Sequence, residues 1–202
     1  IGKGALKVET ISLKYINNKL IIFKIINNQE ILAFKCDKSI YEKAFNFLKN
    51  LKKLDISNNK IKIVKNETFY GLANLEYLNL NENRINKLEI GALDHLFNLI
   101  QLDLNQNRIK LIQSDVFNFL GKLESLDFGN NKISMIEIGA FKSMSSLKLL
   151  SFAYNNIETV RNKTFYGLVN LQGLHLRYNR IHTYEKGFLN HLSKLTTLSL
   201  NN

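Results

Sequence analysis

An apolar pattern, Leu-x-x-Leu-x-Leu/Ile/Phe-x-x-Asn-x-Ile, begins at Leu51 and returns at Leu75, Leu99, Leu123, Leu147 and Leu171. A further copy opens at Leu195, and the interval is 24 residues throughout, without insertions. A segment this short cannot enclose its own apolar side chains, so each repeat must bury them against its neighbours. The fixed period therefore constrains the chain to a solenoid of stacked coils, each adding one short strand to a parallel sheet on the inner face. Surfaces of this kind bind more often than they catalyse.

Within a repeat, side chains alternate across the strand, so Leu54 and Ile56 share one side, and that side is the interior. Asn59, Asn83, Asn107, Asn131, Asn155 and Asn179 hold one register. An amide buried there can pair backbone groups freed where the chain leaves the strand. Ile61, Ile85, Ile109, Ile133, Ile157 and Ile181 form the next interior row. On the outer arc Phe69, Phe117, Phe141 and Phe165 are each followed three residues on by Leu72, Leu120, Met144 and Leu168. That spacing predicts one short helical or 3-10 turn per coil, facing inward.

Residues 1–44 follow the period poorly. Alternating segments Val8 to Ile16, Lys19 to Ile26 and Ile31 to Cys36 are separated by Asn17-Asn18 and Asn27-Asn28, pairs that suit tight turns. We expect a β-meander there, capping the first coil, with repeats over 45–202 and the last repeat incomplete. The expected fold class is thus an α/β solenoid: a horseshoe with a parallel β-sheet on the concave face, short helical turns on the convex face and an N-terminal β-meander cap. Ile1 is not a methionine and Asn202 falls within the last repeat, so we expect a piece of a longer chain.

The formal charge of +11 and pI near 9.6 raise anionic partners, including an acidic polymer. Abundant Lys, Asn, Ile and Phe with no Pro or Trp is also what AT-rich coding sequence yields, so part of the excess carries no functional meaning. Cys36 is the only cysteine, so it is either a buried apolar side chain or half of a disulfide to another chain. No apolar run approaches the ~18 residues of a membrane span. His95, His175, His182 and His191 are scattered without metal-ligand spacing, and no phosphate loop or nucleophile motif occurs, so neither an enzyme, a metal nor a cofactor is expected. Nor does the sequence carry a nucleic-acid-binding motif, and we expect no nucleic acid partner.

The segments Asn66-Glu67-Thr68-Phe69-Tyr70-Gly71-Leu72 and Leu75 to Ile85 resemble the 24-residue extracellular class of animal leucine-rich repeats, found in receptor ectodomains and secreted proteins. The lead-in Asn27-Asn28-Gln29-Glu30-Ile31-Leu32-Ala33-Phe34-Lys35, with Phe45 and Leu48, is similar to the start of insect secreted repeat proteins, including the mosquito leucine-rich immune proteins. The chain lacks the Cys-rich flanking cap and the prolines of the commoner vertebrate pattern. The resemblance implies an extracellular, non-enzymatic module that recruits a protein partner through its concave face in innate immunity. It also implies, for Cys36, an intermolecular disulfide. An adhesion or developmental receptor ectodomain, and a structural assembly component, are the alternatives. The oligomeric state is left open.

Three sets of residues are candidate sites. Leu149, Tyr154, His175, Arg177 and Tyr178 fall on solvent-facing strand and loop positions of coils five and six, and Tyr and Arg dominate interface hot spots. Lys60, Arg84, Arg108, Lys132 and Arg180 form a basic stripe just past the Asn register. Their cationic stems can shelter the apolar edge below, or the charges can meet an acidic ligand. Asn66-Glu67-Thr68 and Asn162-Lys163-Thr164 are glycan acceptor sequons in one register, 96 residues apart, on the outward arc.

Overall fold

A computed structural model describes the backbone of residues 8–16, 19–26 and 29–33, residues 40, 43, 45 and 46, and everything from Leu48 to Asn201. Three strands, Val8–Ile16, Lys19–Ile26 and Gln29–Ala33, pair antiparallel in sequence, with an irregularity between Glu9 and Ile11. The last lies parallel to Lys53–Asp55, matching Ile31 with Lys53 and Ala33 with Asp55. From there the strands Tyr77–Asn79, Gln101–Asp103, Ser125–Asp127, Leu149–Ser151, Gly173–His175 and Thr197–Ser199 follow in parallel, completing one ten-stranded sheet. The expected meander is present and extends the repeat sheet directly. Cys36, Asn17-Asn18 and Asn27-Asn28 lie outside the described residues.

Each strand lies one period from the next, matching Leu54 with Leu78, Leu102 with Leu126, and Leu150 with Leu174. These leucines are buried, as are the residues two positions on: Ile56, Leu80, Leu104, Phe128, Phe152 and Leu176. In coils four and five the second row becomes aromatic, and Phe128 stacks on Phe152 with ring centroids 5.2 Å apart. Each stacked pair exists only between coils, which is why the unit that folds is the array.

The asparagine register ties the coils together. Asn107 donates from Nδ2 to the carbonyls of Leu104 and Asn105 in its own coil and of Leu80 in the coil before, at 3.0–3.1 Å. Its Oδ1 accepts the backbone N–H of Ile85 at 2.9 Å. The same four bonds recur at Asn83 and Asn131, and all three side chains are buried. A strand that ends inside a protein leaves donors and acceptors that water cannot reach, and one amide serves both kinds here.

The convex face differs from expectation: among the described residues it holds turns and no helix. Thr68 bonds back to Lys65, Tyr70 to Glu67 and Leu72 to Phe69, all three residues back, but these bonds skip alternate residues. A 3-10 helix needs them on successive residues. Left-handed backbone at Glu67 and Gly71, with φ of 57° and 91°, interrupts the run. Gly71 has no substitute, because a Cβ there would stand 2.7 Å from the Cα of Asn46 in the preceding coil. The inward Phe and Leu pairs are nevertheless as predicted: Phe69, Leu72, Phe117 and Leu120 are buried.

A second periodicity appears on the flank after the Asn register. Short strands pair Ile63–Val64 with Lys87–Leu88, Leu111–Ile112 with Met135–Ile136, and Thr159–Val160 with Thr183–Tyr184. At the same three junctions Glu89, Glu137 and Glu185 accept the backbone N–H of Asn66, Ser114 and Asn162 at 2.9–3.2 Å. Coils therefore couple in twos, and the sequence shows it as Glu and Gly recurring at 89/91, 137/139 and 185/187. The period of the clamp is twice that of the strand.

Candidate binding surface

The sheet's solvent side carries a column of Asp55, Asn79, Asp103 and Asp127 over coils one to four. Each side chain turns back on its own chain: Oδ1 accepts the N–H two residues on, at Ser57, Asn81, Asn105 and Gly129, at 2.7–3.0 Å. Asp and Asn stabilise a turn in this way, so the acidic character has a structural cause. Burial raises the Asp103 carboxyl pKa despite the Asn105 bond that lowers it, and the Asp127 and Asp55 charges raise it further. Asp103 and Asp127 are direct partners in register.

A group whose pKa is raised on folding gives stability that is present below its unfolded pKa and lost as pH rises through the folded value. Asp103→Asn should keep the turn bond, as Asn79 does one coil earlier, and remove a like-charge pair worth roughly 0.2–1 kcal/mol. We expect a higher urea midpoint at neutral pH, with the advantage over the parent disappearing in acid. A lower midpoint at neutral pH contradicts this electrostatic reading.

At coils five and six the column changes to Ser151 and His175, and a different construction takes over. The loop position after each strand has left-handed backbone at Asn58, Glu82, Gln106, Asn130, Tyr154 and Tyr178, with φ between 52° and 58°. Asn tolerates that conformation, whereas a bulky ring there costs on the order of 1–3 kcal/mol. Tyr154 and Tyr178 occupy it in adjacent coils and stack on one another, centroids 4.4 Å apart and planes 17° from parallel. The Arg177 guanidinium lies 6.0 Å from one ring and 5.9 Å from the other. Both rings remain exposed, at 45% and 49%, and so does Leu149 at 49%. The Leu149 side chain lies over Gly173 on the neighbouring strand, which is buried and where a Cβ would meet Leu149 Cδ2 at 2.8 Å. His175 Nδ1 shares a hydrogen bond with Ser199 Oγ at 3.2 Å. Of the five residues singled out from sequence, Tyr154, Arg177 and Tyr178 come together, while Leu149 and His175 stand on the adjoining strands, and a strained pair of exposed rings is the observation that pattern alone did not supply.

The basic stripe is exposed along its length at Lys60, Arg84, Arg108, Lys132 and Arg180. Among the described residues none of these, nor Arg177, has a carboxylate within ion-pair distance; the Lys–Asp/Glu pairs lie elsewhere, as at Lys148–Glu124 and Lys142–Asp115. The sequons share one flank, where Asn66 and Asn162 are exposed while Thr68 and Thr164 are buried. Thr164 Oγ1 accepts the Arg161 N–H at 2.9 Å, but Thr68 Oγ1 has no hydrogen-bond partner among the described residues. A further group of rings escaped the sequence reading. Tyr70, His95, Phe97 and Phe119 meet edge to face at 4.9, 6.5 and 6.1 Å. Tyr166 and His191, 96 residues beyond the first two, repeat the contact at 5.3 Å. That shared interval was the available signal.

Among the described residues no group of His, Cys, Asp and Glu is arranged to hold a metal, and no helix is long and apolar enough to cross a membrane. The family model for the leucine rich repeat matches residues 38–85, 77–133 and 121–181. The chain belongs to the leucine-rich repeat family. No curated protein matches the sequence. Among solved structures, this leucine-rich repeat chain is similar to the TLR13 protein of a TLR13–ssRNA13 complex, with TM-score 0.79 and 27% identity over 83% of this chain and 24% of the other. It is similar too to a structure of the glycosylated Toll–Spatzle complex of Drosophila, described as a molecular hub in development and innate immunity. There the TM-score is 0.76 and the identity 27%, over 87% of this chain and 26% of that one. The chain spans about a quarter of the length of these structures. None of the comparisons indicates an enzymatic family. One neighbour was solved with single-stranded RNA, so kinship of fold gives no ground for the expected exclusion of nucleic acid.

Proposed function

We propose that this leucine-rich repeat array is the non-enzymatic, partner-recruiting part of an extracellular protein acting in innate immunity, and that a protein partner docks on the concave face at coils five and six. The observation that carries the reading is the stacked Tyr154–Tyr178 pair with Arg177 beside it, held exposed on left-handed backbone. Strain of this kind persists where the surrounding structure and a use sustain it. The similar solved structures are complexes, one of TLR13 with ssRNA13 and one of Toll with Spatzle, and they support a binding role. The terminal meander, in this reading, covers the first coil's apolar end.

Tyr178→Asn tests the site cleanly, because Asn suits the backbone that Tyr strains. It should leave thermal stability within about 1 kcal/mol and weaken partner binding by more than about 1 kcal/mol. Arg84→Ala and Arg108→Ala should alter chiefly the salt dependence of binding. Loss of binding in the stripe variants with normal binding in Tyr178→Asn would replace the concave site by an acidic polymer on the stripe.

Asn66 and Asn162 carry N-linked glycans in this proposal. Buried Thr68 and Thr164 imply that transfer precedes closure of the coil. Intact mass before and after glycosidase treatment of native material should show sugar on both; unmodified Asn at both would argue against an extracellular protein.

A further inference from the structure

We infer that the segment recognised at coils five and six is a short acidic peptide stretch that places a carboxylate on Arg177 and an apolar side chain against Leu149. The inference rests on the concave-face reading above and adds the partner's chemistry. Arg177 has its guanidinium 6.0 and 5.9 Å from the centroids of two tyrosine rings, and no carboxylate lies within ion-pair distance among the described residues. A planar fork so held is suited to a bidentate carboxylate, and holding it in advance reduces the ordering cost of binding. The strand and loop positions around it in coils five to seven, Ser151, Ala153, His175, Ser199 and Asn201 among them, contain no acidic residue. Leu149 is exposed and lies over the buried Gly173, which leaves it an apolar step on the sheet face that Arg177 shares two residues beyond His175.

The same sheet limits how far the negative charge can extend. Asp127, Asp103 and Asp55 stand on the strands of coils four, three and one, with Glu82 on the loop of coil two. Coils four and six are two strand spacings apart, roughly 10 Å, which an extended peptide covers in about three residues. A uniform polyanion laid along the concave face would meet Asp127 within that distance and the other carboxylates beyond it. A peptide changes character from residue to residue, so its acidic part can end before coil four. This asymmetry favours a peptide over a nucleic acid.

Fluorescence anisotropy with the intact chain tests the inference. The probes are a capped peptide whose Glu-Phe-Glu run is followed by uncharged and basic residues, a uniformly acidic peptide of equal length, and a single-stranded oligouridylate. The first should bind best, and Arg177→Glu should weaken it by roughly tenfold or more, while Arg84→Glu changes it far less. Tighter binding of the oligouridylate or the uniformly acidic peptide overturns the inference. So does unchanged affinity in Arg177→Glu. If no probe binds while a native partner still requires Tyr178, the acidic chemistry is wrong and the concave site stands.

Discussion

Leu102→Ala should destabilise the array by about 2–5 kcal/mol, the range for removing a fully packed leucine from an interior that relaxes only in part. Leu102 lies in the strand Gln101–Asp103, 1% exposed, with its register partners Leu78 and Leu126 on either side. The void therefore opens at the centre of the stack, where two interfaces lose contacts at once. Such arrays couple neighbours more strongly than distant coils, so the loss should appear first as faster amide exchange in coils two to four. Urea denaturation gives the magnitude. A midpoint no lower than that of Asp103→Ala, one position on, would mean that the strand faces the other way.

The second large effect is expected at Asn131. Replacing it by Ala removes the acceptor of the Ile109 N–H, at 3.0 Å, and the donor to the carbonyls of Leu104, Phe128 and Gly129, at 2.9–3.1 Å. The side chain is buried, so water cannot replace it, and each orphaned group costs about 1–3 kcal/mol. Asn131→Asp is the sharper comparison. Its carboxylate can still accept from Ile109, but it turns a second oxygen toward carbonyls that need a donor. Both variants should melt well below the parent, with the Ile109 amide losing exchange protection in the alanine form and keeping more of it in the aspartate form. Equal protection in the two would deny the amide its bridging role.

The repeat made the interior legible from sequence. Leucine and isoleucine at fixed offsets determine which side of a three-residue strand is buried, and the Asn register follows because a strand end inside a core needs a group that both donates and accepts. The outer arc was only half legible. Phe69 and Leu72 announced their burial, but whether the chain between them winds as a helix depends on backbone angles at Glu67 and Gly71, which a spacing rule does not contain. The concave patch was legible as a list of residue types at matching positions. Its geometry was not, because the left-handed backbone at Tyr154 and Tyr178 is set by the loop that Asn58 and Asn130 share with them, and tyrosine there gives no hint of it. The acidic column has a cause that residue type alone does not show: Asp55, Asp103 and Asp127 each give one carboxylate oxygen to their own turn.

The central claim is that partners meet this protein on the concave face at coils five and six. A photoreactive benzoylphenylalanine placed in turn at Tyr178, at Arg108 on the stripe and at Phe119 on the ring-bearing flank tests it directly. With native fluid from the source as the bait's environment, irradiation followed by mass spectrometry identifies what each position touches. The account predicts a specific adduct from position 178 that a Tyr154→Asn background diminishes, and none of the same species from 119. An adduct formed from 108 or 119 and absent from 178 would contradict it.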